Sequence, residues 1–238
     1  MIDYSKLEEA FMEGLGIERR PVAITFLDAP PEGIEKFTGS VPSSCTFWRL
    51  AAEGRTFYTV AVDHYNCPIG SYTHNAPLPP EREPELMQTL SLMGDLGYVR
   101  MEEIPGVFRL PKTPAAVVYG PLGDISMEPS VVIFSGRPGR IMRLTEAAIR
   151  AGVMSSLPLL ARPTCMALPA ALVNGTVASA GCIGNRVYTD IGEDELYIAA
   201  PGYAIERLAA EVATIANANE KLAEYHTGRR QTLTQIAS

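Results

Sequence analysis

The sequence predicts a single α/β or α+β domain, with a mixed sheet, flanking helices and an internal pseudo-twofold duplication. Three observations predict this fold. Runs of β-branched and aromatic residues alternate with amphipathic helical segments along most of the chain. The hydrophobic content of 47% is enough for a packed core in 238 residues. Two stretches of the chain also repeat one order of motifs around a pair of cysteines.

The first part of the chain is predicted to alternate helix and strand. Apolar residues at helical spacing predict a helix over 3–16. β-Branched and aromatic runs predict strands over 21–27 and 56–62. Between these strands we expect a helix that begins at Cys45 and ends near Glu53, because a glycine follows it.

The middle of the chain contains a proline-rich segment and then returns to regular elements. Five prolines between 66 and 84 predict a long extended loop, which we interpret as a lid. After this loop we predict a helix over 85–96 and strands over 115–120 and 131–134. A helix that follows the second of these strands is predicted to end near 151. A strand over 194–199, a helix over 204–225 and a polar tail over 226–238 complete the chain.

The repeat is centred on four cysteines. Cys45 and Cys165 each follow a Ser or Thr at an expected helix start. Cys67 and Cys182 each precede an Ile-Gly dipeptide and, shortly afterwards, a Tyr-Thr dipeptide. We interpret the two copies as repeat halves of one domain, over about 17–120 and 121–203, whose folding together brings the four thiols near a pseudo-twofold axis.

Charge and targeting signals narrow the class of protein. The net charge of −7 and the absence of Lys/Arg stripes argue against a nucleic-acid partner. The N-terminus lacks a basic region followed by an apolar core, so we expect no signal peptide and a cytoplasmic location. The charge-free stretch between Arg162 and Arg186 contains prolines and glycines, which indicates burial in a soluble protein and no membrane span.

A cytoplasmic location changes the meaning of an even cysteine count. Thiols stay reduced there, so metal binding or redox chemistry is favoured over structural disulfides. We expect Cys45 and Cys165 in the first turn of a helix, where free N–H groups favour the thiolate. We expect Cys67 and Cys182 to end strands and enter glycine turns whose N–H groups face sulfur. All four are predicted to ligate one metal group.

The ligand type favours an iron–sulfur cluster. Cys67 is followed by Pro68, a dipeptide often found at such clusters. A charge-poor pocket with four thiolates from separate elements suits [4Fe–4S], and Arg186 is predicted to contact the cofactor and offset its negative charge. No C-x₂-C pair is present, so the fold must assemble the site. Zinc, buried structural thiols and a thiol/disulfide oxidoreductase stay open as alternatives.

Catalytic residues are less clearly indicated. His64, Tyr65 and His74 lie beside Cys67 or in the proline-rich loop, and they are candidates for proton transfer or substrate contact. The expected role is electron transfer, or a redox or substrate-activating reaction on a small molecule, so an iron–sulfur oxidoreductase is one option for an enzyme. A non-catalytic metal module that joins the halves is another. The partners are then a small-molecule substrate or an electron-transfer protein, and homo-oligomerisation stays open.

The assembled motifs are similar to those of the domain of unknown function 169 family, a group found mainly in archaea and anaerobic or metabolically versatile bacteria. The resemblance covers roughly residues 5 to 225. It implies a cytosolic, oxygen-sensitive context and assigns no catalytic role. The motifs that carry it are Pro21-Val22-Ala23-Ile24, Ser44-Cys45, Cys67-Pro68-Ile69-Gly70, Arg162-Pro163-Thr164-Cys165 and Gly181-Cys182-Ile183-Gly184-Asn185-Arg186.

Overall fold

A mixed sheet forms the centre of the fold, in a computed structural model that describes residues 2–154, 158–160 and 162–236. Its seven strands have the order β2-β3-β1-β4-β7-β6-β5, and neighbours are antiparallel except for β5 and β6. The expected α/β single domain with a mixed sheet is therefore confirmed. The strands are β1 Val22–Leu27, β2 Phe57–Thr59, β3 Ala116–Pro121, β4 Val131–Gly136, β5 Leu159–Leu160, β6 Val177–Ser179 and β7 Leu196–Pro201.

Helices cover both faces of this sheet. Alternate residues of each strand point to opposite faces, so Val22 and Ile24 join one core and Ala23 joins the other. The first core packs against α2 and α6, and the second against α1, α5 and α8. The helices are α1 Tyr4–Leu15, α2 Thr46–Ala52, α3 Pro68–Thr73, α4 Glu83–Asp95, α5 Pro138–Arg150, α6 Ala167–Asn174, α7 Ile183–Thr189 and α8 Ile205–Ile236.

The two halves of the chain follow the same order of elements. The first half runs β1-α2-β2-α3-β3, with α4 inserted before its last strand. The second half runs β4-α6-β6-α7-β7, with α5 and β5 inserted after its first strand. The central strands β1 and β4 are antiparallel, with Ala23 opposite Val132. This order fits the expected pseudo-twofold arrangement. Descent from a duplicated unit stays a prediction.

Several predicted boundaries are wrong. The strand predicted over 56–62 ends at Thr59, and a 3₁₀ turn Ala61–His64 follows it. The loop predicted over 66–84 contains α3. Pro68 and Pro84 each occupy the first or second position of a helix, where the missing N–H has no intrahelical partner, so these prolines start helices and do not break them.

The C-terminal part of the chain also differs from its prediction. Residues 183–189 form α7, which buries Asn185 and Thr189, although Val187 and Thr189 favour strand by local preference. The helix predicted over 204–225 continues to Ile236, so the expected polar tail is helical over its described part. Residues 237–238 of that tail lie outside the described residues, as do four positions of the second half, 155–157 and 161. Within the described ranges, no helix combines the length and apolar character of a membrane span.

Candidate functional site

All four cysteines lie at the starts of helices on the same side of the sheet. Cys45, Cys67 and Cys182 are the N-cap residues of α2, α3 and α7. Cys165 lies in the 3₁₀ turn Thr164–Met166, which leads directly into α6. The expectation that Cys67 and Cys182 end strands is wrong, because each begins a short helix instead. Unpaired N–H groups in the first helical turn can therefore face each sulfur.

The thiols of Cys45 and Cys165 interact most strongly. Both are buried, with 5% and 4% of their surface exposed, and Cys67 and Cys182 are half-buried. The pKa of the Cys45 thiol is raised well above its ordinary value, first by a hydrogen bond with Cys165, then by burial and by the charges of Cys165, Cys67 and Cys182. Cys45 thus lies within electrostatic range of the other three thiols, so the fold brings thiols from both halves together.

Cys165 is the thiol whose anion the surroundings favour. Its pKa is lowered, first by the hydrogen bond with Cys45 and then, against the effect of burial, by the Thr73 hydroxyl and the N–H groups of Cys165 and Met166. The pKa of Cys67 is raised to about 11 by burial, although its sulfur accepts a hydrogen bond from the N–H of Gly70 at 3.3 Å. The pair Cys45 and Cys165 can therefore hold one proton between two sulfurs.

The helix that follows Cys67 packs tightly against the segment that precedes Cys45. A Cβ atom on Gly70 would lie 2.2 Å from the Ser44 Oγ and 3.0 Å from the Cys67 Sγ. Only glycine fits here, because real Cβ atoms do not approach other atoms so closely. The Ile-Gly dipeptide after Cys67 thus sets the distance between two cysteine-bearing segments of the first half.

A second close contact joins the cysteine segments of the other half. The N–H of Cys182 donates to the Thr164 hydroxyl at 2.5 Å, which ties the start of α7 to the turn that carries Cys165. Gly181 has a φ of +80°, a conformation that L side chains rarely adopt, and it redirects the chain into α7. The threonine before one cysteine therefore positions the backbone of the other.

Two histidines form a buried polar network beside the thiols. The His64 ring bonds to the Ser44 hydroxyl through Nδ1 and to the Thr59 hydroxyl through Nε2, both at 2.9 Å. The His74 Nδ1 donates to the Gly70 carbonyl at 2.8 Å, and its Nε2 lies 3.5 Å from the Tyr119 hydroxyl. The two imidazole rings lie 4.5 Å apart. The network can pass a proton between neutral groups next to the thiols.

The other predicted site residues lie outside this network. Tyr65 is half-buried at the end of the 3₁₀ turn, and the hydrogen bonds described for the network do not include it. Arg186 donates its guanidinium N–H groups to the backbone carbonyls of Ala180, Gly192 and Glu195. In this structure Arg186 therefore connects the turn before Cys182 to the segment before β7.

Sequence reasoning missed four polar residues that surround the thiols. In the sequence, Ser44 indicates only a helix start, and Thr59 falls in a predicted strand. Thr73 falls in the predicted loop, and Tyr119 looks like a core residue of β3. The pKa of Tyr119 is raised, mainly by burial and then by the charge of Cys45. A tyrosine in an otherwise aliphatic strand was the available signal, because its buried hydroxyl requires a hydrogen-bond partner.

The histidine network should make the folded protein sensitive to acid. Burial lowers the pKa of His74 to about 4 and that of His64 well below its ordinary value. Below about pH 6.5 the unfolded chain binds protons that the folded state excludes. The free energy of unfolding is thus expected to fall between about pH 6.5 and 4, by up to about 1.4 kcal/mol per pH unit for His74 alone.

Urea unfolding at several pH values measures this slope. The variant His74→Phe should flatten it, because one excluded proton is removed. The matched variant His226→Gln, on the exposed part of α8, is the control for replacing a histidine that is not buried. An identical slope in wild type and His74→Phe would show that His74 protonates freely in the folded state.

The site does not present a ready-made pocket for one ion. Across residues 2–154, 158–160 and 162–236, no group of three or more His, Cys, Asp or Glu side chains is arranged to hold a single metal ion. The four cysteines are free thiols in the structure. The arrangement therefore offers a central thiol pair, two further thiols within electrostatic range and a neutral histidine network.

Comparison with known proteins identifies the family. The model of the domain of unknown function 169 family, described as uncharacterised ArCR proteins, matches residues 10–211. This span includes all four cysteines, both histidines of the network and every strand of the sheet. No curated protein and no solved structure matches the chain. Since the family model covers most of the sequence, the chain belongs to the domain of unknown function 169 family.

Proposed function

We propose that Cys45, Cys67, Cys165 and Cys182 bind a [4Fe–4S] cluster, and that the protein uses it in electron transfer or in a redox or substrate-activating reaction on a small molecule. One observation carries the proposal: Cys45 interacts electrostatically with the three other thiols, and the four thiols come from four helix starts, two in each half. Cysteine thiolates are the usual ligands of such clusters.

A [4Fe–4S] cluster and a single zinc ion require different distances between the four sulfurs. Four sulfurs around zinc lie about 3.8 Å apart, given Zn–S bonds of about 2.3 Å and tetrahedral geometry. Four sulfurs around a cubane lie about 6 to 7 Å apart, because the inorganic core separates them; this distance assumes an Fe–S bond similar to Zn–S. The described residues contain no group arranged for a single ion. The hydrogen bond between Cys45 and Cys165 holds their two sulfurs closer than a cubane requires, so binding of a cluster would have to separate this pair.

Polar groups near the thiols also suit a bound inorganic group. The Cys67 sulfur accepts an N–H from Gly70, and N–H groups of Cys165 and Met166 favour the Cys165 thiolate. Such donors stabilise the negative charge of a cluster with four thiolates.

The chain's own residues have separate tasks in this proposal. When bound, the cluster supplies one-electron transfer or a polarising iron atom. Gly70 lets α3 approach the Cys45 segment, and Thr164 orients the backbone of Cys182. The His64–His74 pair stays neutral because it is buried, so it can accept or donate a proton at the Nε2 of His74 through Tyr119.

A thiol redox pair is the second candidate, and the hydrogen bond between Cys45 and Cys165 favours it. The Cys165 thiolate would attack a small disulfide and displace one of its thiols. Cys45 would then attack the mixed disulfide, forming a Cys45–Cys165 bond and releasing the second thiol. The balance is two protein thiols oxidised and one small disulfide reduced.

Metal analysis of the full chain, purified without oxygen, distinguishes the candidates. The cluster proposal expects about four iron and four acid-labile sulfide per chain, together with a brown colour. A colourless protein with one zinc would contradict it. A metal-free protein that forms a Cys45–Cys165 disulfide with oxidised glutathione, detected as a linked peptide pair by mass spectrometry, would establish the thiol redox pair instead.

A further inference from the structure

Residues 77–109, which we call the arm, leave the first half of the chain after the buried Ala76 and return to it before the buried Leu110. The arm contains α4 and the 3₁₀ segment Met101–Gly106. Each of its residues is half-buried or exposed. Four of its apolar side chains are more than half exposed: Met87, Leu92, Leu96 and Met101. A segment that buries so little surface opens at a lower free-energy cost than the sheet unfolds.

The two ends of the arm meet at the C-terminal end of α3. The Leu110 N–H donates to the Thr73 carbonyl at 2.9 Å. Arg109 donates to the side-chain oxygen of Asn75, and its guanidinium lies 4.5 Å from the centre of the Tyr72 ring. Asn75 has a φ of +54°, so the chain turns sharply where it leaves α3 for the arm. The arm therefore departs from and returns to one fixed base, as a hinged segment does.

Above this base, the start of the arm contacts the segment that carries Cys67. Arg82 donates to the side-chain oxygen of Asn66, which directly precedes this cysteine. The amide of Asn66 donates in turn to the Ser40 hydroxyl at 2.7 Å, in the segment that leads to Cys45. The arm is thus connected to both cysteine-bearing segments of the first half.

The far part of the arm contacts the second half of the chain through Arg162. This arginine donates to the Glu103 carboxylate at 2.9 Å, and its guanidinium lies 4.8 Å from the centre of the Tyr98 ring, within the range of a cation–π contact. Arg162 comes three residues before Cys165. The side chains of the ion pair are 32% and 36% exposed, so water screens their attraction and the contact is weak. The arm therefore reaches from the Cys67 segment to the Cys165 segment and is held there by a contact that breaks easily.

We propose that the arm is a lid on the thiol site, hinged at Asn75 and held closed by Arg162. Opening breaks the contacts of Arg162 with the arm and admits a small molecule to the thiols. The segment that the sequence predicts as a lid, 66–84, shares only 77–84 with the arm, because its first part forms α3. The arm contains no cysteine, so it covers the site whether or not the thiols hold a cluster.

Amide hydrogen exchange of the full chain, followed by mass spectrometry, measures how often the arm opens. A helix of 13 residues is marginal in water by itself, so the amides of α4 exchange when the arm leaves the fold. We expect α4 to exchange faster than β1 and β4 in the wild type. Arg162→Gln should raise the exchange rate of α4 about twofold to fivefold, since a partly exposed ion pair is lost.

The matched control for this variant is Arg150→Gln. It breaks another ion pair of an arginine, with Glu211 on the opposite face of the sheet, and should leave the exchange of α4 as in the wild type. If α4 exchanges at the wild-type rate in Arg162→Gln, or as slowly as β1 and β4 in the wild type, the proposal is overturned.

Access to the thiols tests whether the arm covers them. In a chain that contains iron, the rate measured is release of iron to an external chelator. In an iron-free chain, it is alkylation of the half-buried Cys67 by iodoacetamide. Either rate should rise in Arg162→Gln by the same factor as the exchange of α4, because one opening controls both. Failure of the cluster proposal changes only which rate is measured. A wild-type rate together with faster exchange of α4 would show an arm that moves without covering the site, and would overturn the lid.

Discussion

The variant Cys165→Ser is expected to lose all bound iron and sulfide, whereas wild type purified without oxygen retains about four of each per chain. Cys165 is the thiol whose anion is most favoured, through Cys45, Thr73 and two backbone N–H groups. A serine hydroxyl is a poor ligand for iron at neutral pH because it stays protonated. Losing this ligand also leaves Cys45 without its hydrogen-bonding partner.

The same measurement on the other three cysteines tests whether they form one site. Serine in place of Cys45, Cys67 or Cys182 should also abolish or sharply reduce the iron content. Ala51→Ser is the matched control, because it introduces a hydroxyl at a fully buried position of α2 without removing a thiol. Full iron in any one cysteine variant would remove that residue from the proposed ligand set. If Ala51→Ser also loses iron, then disturbance of the fold, and not removal of a ligand, explains the loss in the cysteine variants.

The variant Gly202→Ala is expected to be the most destabilising single-methyl change in the core of the fold. Gly202 follows β7, where its N–H donates to the Ser130 carbonyl at 2.9 Å. A Cβ atom there would lie 1.6 Å from the Pro129 carbonyl oxygen and 2.6 Å from its carbon. These are backbone atoms of the segment that leads directly into β4, two residues before that strand begins, so relief requires a shift of the chain at the entry to a central strand. We expect the free energy of unfolding to fall by about 3 kcal/mol or more.

Chemical unfolding with urea measures this change, and a lower midpoint or failure to accumulate as folded protein is the expected result. Gly228→Ala is the matched control, since the same methyl on the exposed part of α8 meets nothing within 4 Å. Alanine favours helix over glycine by about 0.5–1 kcal/mol, so Gly228→Ala should be neutral or stabilising. If Gly202→Ala unfolds at the wild-type urea concentration, then β4 and β7 do not approach as described.

Local patterns predicted the fold class and the elements with strong periodicity. β1, β3, β4 and α1 lie within one or two residues of their predicted bounds, because alternation and helical spacing report directly which residues are buried. The errors fall where tertiary contacts outweigh local preference. α7 contains Val187 and Thr189, which favour strand, and it forms because the burial of Asn185 and Thr189 and the turn at Gly181 select a helix.

The candidate site was also predicted in part. The matched contexts of Cys45, Cys67, Cys165 and Cys182 identified the thiols, and their sequence neighbourhood identified His64 and His74. Arg186 was assigned to the cofactor from its charge, and in the structure it binds backbone carbonyls. Ser44, Thr59, Thr73 and Tyr119 were missed. A hydroxyl becomes part of a site only when another segment places a partner next to it, and no local pattern records that partner.

The sequence by itself determined the composition of the site: four thiols in two matched settings, glycines beside them and an acidic chain without a basic stripe. These properties are local, so they can be read from neighbouring residues. Only the tertiary structure decided that Cys45 contacts Cys165 across the two halves, that the histidines pair beside them, and that the arm contacts Arg162. Such contacts depend on how the strands are ordered in the sheet, and strand order is set by packing between segments far apart in the chain.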